Sequence, residues 1–131
     1  MSLAEGSVLA FDFGLKRIGV AVGNTLMLQA RALQVIALES NNAKFAAIEQ
    51  LLKEWQPVLC VVGLPLHPDG AEHEMTKRCR RFAHQLEGRF GVTTALVDER
   101  YSSAVIAAKR GQVIDAEAAA IILQQYFDQA Q

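Results

Sequence analysis

Asp12 is the residue of this sequence whose position points most clearly to chemistry, because it interrupts a short apolar run near the N-terminus. An isolated carboxylate is costly to bury, so its charge must be compensated. Alternation along a strand places Asp12 on the same face as Val8 and Ala10. The carboxylate could bind a cation, or it could end the strand beside Lys16 or Arg17, and the local pattern leaves both interpretations open.

Further acidic residues stand at the ends of other predicted elements. Asp98 and Glu99 follow an apolar strand, and only one of the two can point to a given face of the sheet. Asp115 precedes an apolar helical repeat. Simpler roles are also open: Glu99 could form a solvated ion pair with Arg100, and Asp115 could cap its helix.

Three carboxylates gathered at strand and helix ends would form a site of hard oxygen ligands. Such ligands suit Mg²⁺ or Mn²⁺. Two of these ions can activate a water and stabilise the leaving oxygen during phosphodiester hydrolysis. The cations would also relieve the repulsion that otherwise raises the carboxylate pKa values.

Other reactive residue types do not form a competing site in the sequence. The two cysteines, Cys60 and Cys79, form neither a CxxC pair nor a zinc-ligand pattern, and we expect both in the core. The three histidines lie around one loop and helix without a nucleophile signature, which predicts surface positions: His67, His73 and His84.

A basic run, Lys77-Arg78-Cys79-Arg80-Arg81, carries four cations within five residues. It could bind phosphates. It could equally be a solvated helix face with partners such as Glu74, four residues before Arg78.

The elements that would position these groups follow from hydrophobic periodicity and turn residues. Apolar runs predict five strands, at residues 8–13, 17–22, 30–37, 58–62 and 93–97. Helical spacing predicts helices over 42–55, from 75 until Gly88 and Gly91, over about 102–109, and from 115 onwards. Three antiparallel strands followed by helix–strand alternation give an α/β fold, a mixed five-stranded sheet with helices on both faces, which is similar to the RNase H-like architecture.

Size and charge narrow the class of protein. The 131 residues predict a single domain over 1–131. A formal charge of −1 argues against coating nucleic acid electrostatically, so any such contact must be local. The sequence has no signal-peptide pattern and no apolar run of roughly 18 residues, so we expect a cytoplasmic protein without a membrane partner.

Four ordered blocks closely resemble the bacterial YqgF/RuvX family: FDFGLKRIGVAVG, VVGLPLHPDG, DERYSS and DAEAAAIILQQYF. That family is RNase H-like. It was described first as Holliday junction resolvases and later as nucleases implicated in maturing the 5′ end of pre-16S ribosomal RNA.

The resemblance implies that Asp12, Glu99 and Asp115 are the catalytic and metal-binding carboxylates, with Mg²⁺ or Mn²⁺, most simply two ions, as cofactor. It also implies that four neighbours contact substrate or orient a carboxylate: Lys16, Arg17, Arg100 and Ser102. Asp98 looks more like a supporting residue. Relatives usually carry a longer polar segment where residues 104–114 are compact here, and a leucine is commoner at Tyr101.

The resemblance predicts a metal-dependent nuclease acting on pre-16S ribosomal RNA. A resolvase of four-way DNA junctions is the first alternative, and it would need a homodimer to cut two strands. A non-catalytic RNA-binding module is another. An actin-like or sugar-kinase-like nucleotide site would need a second domain, which 131 residues do not provide.

Overall fold

A mixed sheet of five strands lies at the centre of the computed structural model, which describes residues 5–37, 39–99 and 115–129. In chain order the strands are β1 (Ser7–Phe13), β2 (Arg17–Asn24), β3 (Gln29–Ala37), β4 (Leu59–Leu64) and β5 (Thr94–Asp98). Their order across the sheet is β3-β2-β1-β4-β5. The first three strands pair antiparallel, whereas β4 is parallel to both β1 and β5. The C-terminal ends of β1, β4 and β5 therefore meet at one edge.

Helices cover both faces of this sheet, as the sequence predicts. They are α1 (Asn41–Trp55), α2 (Glu74–Phe90) and α3 (Asp115–Gln129). One apolar cluster joins α1 and α2 to one face, and a second joins α3 to the other. Within the described ranges, no helix has the length and apolar character needed to cross a membrane. The helix predicted over 102–109 lies outside the described residues.

Alternation along β1 sorts its side chains between the two clusters. Leu9 and Phe11 pack under α1 and α2, whereas Val8 and Ala10 pack under α3. This confirms the predicted faces and places Asp12, which follows in the same alternation, on the α3 face. Both cysteines are buried free thiols in the α1/α2 cluster, as expected.

The start of α1 differs from its prediction. Ser40 is the N-cap, and its hydroxyl accepts a hydrogen bond from the Ala43 backbone N–H at 3.1 Å. Asn41 and Asn42, which are equally good caps by residue type, are instead the first two helical residues. Serine serves as the cap because its short side chain can reach the exposed N–H groups from an extended backbone.

The end of α2 agrees with its prediction at Gly91 but not at Gly88. Gly88 does not interrupt the helix, which continues to Phe90 and ends at Gly91, whose φ of 67° is left-handed. A helix-interior glycine costs only about 1 kcal/mol relative to alanine, which the packing of α2 can offset. At its start, the His73 side chain accepts from the Met75 N–H, so this histidine caps a helix.

Strand boundaries fall within two residues of the predicted ones. The consequential difference is in β4, which extends to Leu64 rather than ending at residue 62. The extension pairs Gly63 with Val97 and Leu64 with Asp98, and so carries the sheet up to the acidic pair at the end of β5.

Candidate active site

Asp12 is the last residue but one of β1, opposite Gly19 of β2 in the register of the sheet. Burial is the largest influence on its carboxyl group, and the negative charge of Asp115 is the second. Together they raise the pKa of Asp12 to about 6 from an ordinary 3.8. Asp12 is therefore a partly buried carboxylate that is short of positive charge.

Glu99 follows β5 directly and is held there by its backbone, whose N–H donates to the Leu64 carbonyl at 3.1 Å. Its side chain lies over Gly63: a Cβ atom at Gly63 would come within 2.7 Å of the Glu99 Oε2 atom. That same Cβ atom would come within 2.8 Å of Ile122 Cδ1, so Glu99 sits on the α3 face of the sheet. The glycine makes room for the carboxylate.

Glu99 is only 8% exposed, so the alternative in which its carboxylate is solvated is wrong. Burial, followed by the charges of Asp12 and Asp98, raises the pKa of Glu99 to about 8. Asp98 itself is exposed, and its backbone carbonyl accepts from Gln125 Nε2 at 3.0 Å. Of the adjacent pair, Glu99 is thus the one turned toward Asp12.

Asp115 reaches the site because the backbone of α3 begins directly on top of β2. A Cβ atom at Gly19 would collide with the Asp115 carbonyl and would lie 2.8 Å from the Ala116 backbone nitrogen. Since Gly19 is the cross-strand partner of Asp12, this contact sets the first residue of α3 beside Asp12. The Asp115 side chain is 32% exposed and ion-pairs with Arg17, with 2.9 Å between Oδ2 and Nε.

The three carboxylates are therefore neighbours, and Asp12 is electrostatically coupled to both of the others. They do not enclose an ion as they stand: among residues 5–37, 39–99 and 115–129, no three acidic, histidine or cysteine side chains are close enough to hold a metal. The Arg17 ion pair occupies one Asp115 oxygen. The donor set nonetheless suits a hard divalent cation, because a bound positive charge would offset both the burial and the mutual repulsion that raise the pKa values of Asp12 and Glu99.

The predicted substrate contacts divide into two groups. Lys16 and Arg17 are exposed in and after the turn that follows β1, and Arg17 contacts Asp115 rather than Asp12. Arg100 and Ser102 lie outside the described residues, as does the compact segment 104–114.

Gly19 and Gly63 are the structural residues of this site that sequence reasoning missed. Each lies inside a strand and is approached closely by the backbone or side chain of a neighbouring acidic residue. A signal was present, because an isolated glycine within an apolar strand often marks a close approach of another backbone.

Comparison with known proteins places the chain in a family. Residues 6–129 match the family model described as "RuvX: Holliday junction resolvase". A Ralstonia pickettii (strain 12J) protein is 56% identical over 127 residues, covering 95% of this chain and 89% of that protein. A Paraburkholderia phytofirmans (strain DSM 17436 / LMG 22146 / PsJN) protein is 52% identical over 130 residues, with the same coverage. Both are provisionally named pre-16S rRNA nucleases.

Solved structures share the fold at low sequence identity. Thermus thermophilus RuvC, in complex with a Holliday junction substrate, superposes with a TM-score of 0.60 at 16% identity, covering 95% of each chain. A Fowlpox virus resolvase, in complex with Holliday junction DNA, also has a TM-score of 0.60, at 8% identity, covering 95% of this chain and 98% of that one. These similarities confirm the predicted RNase H-like architecture. The family match over residues 6–129 shows that this chain belongs to the RuvX family, which its sequence blocks resemble.

Proposed function

We propose that this chain is a metal-dependent nuclease that hydrolyses phosphodiester bonds while the 5′ end of pre-16S ribosomal RNA is processed. The observation that carries the proposal is the pair Asp12 and Glu99, a partly buried and a buried carboxyl group at one sheet edge, with pKa values raised to about 6 and about 8. Placing two carboxyl groups side by side away from water costs stability, and a functional site is a common reason for retaining such groups. The RNA substrate is supported by the names of relatives that are 52–56% identical.

Asp12, Glu99 and Asp115 would hold Mg²⁺ or Mn²⁺, with two ions as the simplest arrangement. Bound divalent ions supply an activated water and charge stabilisation on the leaving oxygen. Asp12 is the central residue of the three. The charge of Asp115 raises the pKa of Asp12, and the charge of Asp12 in turn raises the pKa of Glu99. Glu99 retains a proton to about pH 8 without a cation, so metal binding should release that proton and tighten as pH rises.

Arg17 would have two partners during the reaction. It pairs with Asp115 through an exposed contact of 2.9 Å, and such pairs contribute little stability. If the Asp115 side chain rotates to bind a metal cation, the Arg17 guanidinium loses this partner beside the carboxylates. It can then contact a substrate phosphate. Lys16, Arg100 and Ser102 are the other proposed substrate contacts, and the proposed working unit is the single domain 1–131 acting in the cytosol.

A Holliday junction resolvase is the second candidate, because the matching family model carries that description. The chemistry would be the same, but paired cleavage of a four-way junction needs two symmetrically placed sites. A homodimer is therefore part of this second candidate.

Cleavage of two labelled substrates tests the proposal: a pre-16S ribosomal RNA 5′ fragment and a synthetic four-way DNA junction, each with Mg²⁺ or with EDTA. We compare wild type, Asp12→Asn and the control Asp128→Asn, which changes an exposed aspartate at the far end of α3. We expect RNA cleavage that requires Mg²⁺, disappears in Asp12→Asn and persists in Asp128→Asn. Cleavage of the junction alone would favour the resolvase. Absence of cleavage by folded wild type would leave an RNA-binding module.

A further inference from the structure

A cationic cleft lies on the opposite face of the sheet from the carboxylates, at the same end of β1. It has a volume of about 350 Å³ and opens between α1 and α2. Side chains from β1, α1 and α2 line it, among them Phe13, Asn41, Lys44, Arg78, Arg81 and Gln85. Phe13 directly follows Asp12 in β1, so the cleft begins one residue from the candidate active site.

Lys44 is the residue that distinguishes this cleft from an ordinary basic surface. It is only 7% exposed, and its Nζ atom lies 4.5 Å from the centroid of the Phe45 ring and 5.6 Å from that of Phe13. Burial, and then the charges of Arg89 and Arg81, lower the pKa of Lys44. A desolvated lysine among like charges is stabilised by an anion brought to it.

Carboxylates of the protein do not already supply that anion in the part of the chain the structure describes. The ion pairs found there involve neither Lys44 nor Arg81. Arg78 does pair with Glu74, at 3.3 Å, but both side chains are at least half exposed, and such a pair is easily exchanged.

The sequence left open whether the basic run at residues 77–81 binds phosphates or is a solvated helix face. In the structure, some of its cations line the cleft and others do not. Arg78 and Arg81 lie one turn apart on α2 and line the cleft together with Gln85. Arg80 instead pairs with Glu72 at 3.1 Å, outside the cleft lining. Lys77 is exposed and is not part of the lining.

The N-terminus of α1 adds to the same preference for an anion. Asn41, its first residue, lines the cleft, and the first turn contains no acidic side chain. Backbone N–H groups at a helix start carry partial positive charge and bind phosphate oxygens well. Cations from two helices and a helix start therefore converge on one concavity.

We propose that this cleft binds a backbone phosphate of the nucleic acid, close along the strand to the phosphodiester cleaved at the carboxylates. The inference rests on the proposed function for the identity of the ligand. A nucleic-acid backbone suits the position, because it can pass over the end of β1 and present one phosphate to each face of the sheet. The chain has a formal charge of −1, so its overall charge does not attract RNA. The cleft supplies positive charge locally, where the backbone would bind.

Binding of the labelled pre-16S 5′ fragment, measured from 50 to 200 mM NaCl in Mg²⁺, tests this proposal. The parent is Asp12→Asn, so that the RNA stays intact. The first variant adds Arg81→Gln to this parent, a change at an exposed residue that leaves the core untouched. The second adds both Arg81→Gln and Lys44→Met, and the methionine keeps an unbranched apolar side chain over the aromatic rings. The matched control is Lys77→Gln, an exposed cation of the same helix.

We expect Arg81→Gln to weaken RNA binding severalfold and the double change to weaken it about tenfold or more. The slope of log K against log salt should become shallower by about 0.7 for each single-strand phosphate that the variant no longer neutralises. Lys77→Gln should bind like the parent. Equal affinity and slope for the cleft variants and the Lys77→Gln control would overturn the proposal.

Inorganic phosphate and 5′-AMP, titrated while the Asn41 and Lys44 amide signals are followed by NMR, separate a backbone phosphate from a free one. Saturation by either at the concentration at which RNA saturates would overturn the backbone assignment; binding that is at least a hundredfold weaker supports it. The two proposals also fail separately. Loss of RNA binding in the cleft variants supports phosphate binding by the cleft even if wild type cleaves nothing. Unchanged RNA binding in these variants refutes phosphate binding by the cleft even if wild type cleaves RNA.

Discussion

The raised pKa of Glu99 predicts that the cation-free protein loses stability as pH rises. The folded protein keeps the Glu99 proton up to a pKa of about 8, whereas the unfolded chain releases it near the ordinary 4.5. Between these two pH values the native state binds one more proton, so the free energy of unfolding falls by up to about 1.4 kcal/mol per pH unit. The full effect is at most about 5 kcal/mol, which is large against the roughly 5–15 kcal/mol that stabilises a domain.

Urea unfolding of wild type and Glu99→Gln at pH 5, 7 and 9, in EDTA, measures this effect. The amide cannot ionise. Between pH 5 and pH 9 we therefore expect the free energy of unfolding of the variant to rise by about 3–5 kcal/mol relative to that of wild type. Most of the gain should appear below pH 8, with little further change above it. The control is Glu54→Gln, on the exposed side of α1, which should follow wild type. Parallel pH profiles for wild type and Glu99→Gln would show that the pKa of Glu99 is not raised in the folded protein.

Other perturbations test the supports of the site. Gly19→Ala should cost at least about 2 kcal/mol in urea unfolding and abolish cleavage, because the new methyl group collides with the Asp115 backbone. Gly88→Ala, which meets open space in a helix, should instead gain about 0.5–1 kcal/mol. Arg17→Gln should change the free energy of unfolding by less than about 1 kcal/mol, because its ion pair is exposed, while weakening RNA binding. Mg²⁺ should raise the melting temperature of wild type at pH 8 but not that of Asp12→Asn, and equal shifts would contradict the proposed ligand.

Much of the fold could be predicted because its strands and helices follow from patterns of neighbouring residues in the chain. The alternation of β1 separates Leu9 and Phe11 from Val8 and Ala10, and the structure packs these pairs under different helices. Helix ends are less predictable. Ser40 stands beside two asparagines that are equally good caps by residue type, and Gly88 resembles a helix breaker although its cost is only about 1 kcal/mol.

The candidate site could be predicted in its residue types but not in its geometry. Asp12 stands out because a carboxylate in an apolar strand is expensive, and the family resemblance supplies Glu99 and Asp115. Burial of Glu99 depends on space above Gly63, and the approach of Asp115 depends on the bare backbone of Gly19. Both are contacts between distant parts of the chain, which periodicity does not specify.

The cationic cleft illustrates the same limit. In the sequence Lys44 is one polar residue of an amphipathic helix, and nothing near it in the chain indicates that it is buried against Phe13 and Phe45. Only the packing of α1 beside α2 brings it together with Arg78 and Arg81.

Anomalous diffraction from crystals grown in Mn²⁺ is the decisive test of the proposed metal site, because it locates bound ions independently of turnover. We expect Mn²⁺ between the carboxylates of Asp12, Glu99 and Asp115, with Asp115 turned away from Arg17. In Asp12→Asn crystals the same peak should be lost. Mn²⁺ absent from this edge of the sheet at saturating concentration, or present there without contact to Asp12, would contradict the assignment of Asp12 as a metal ligand.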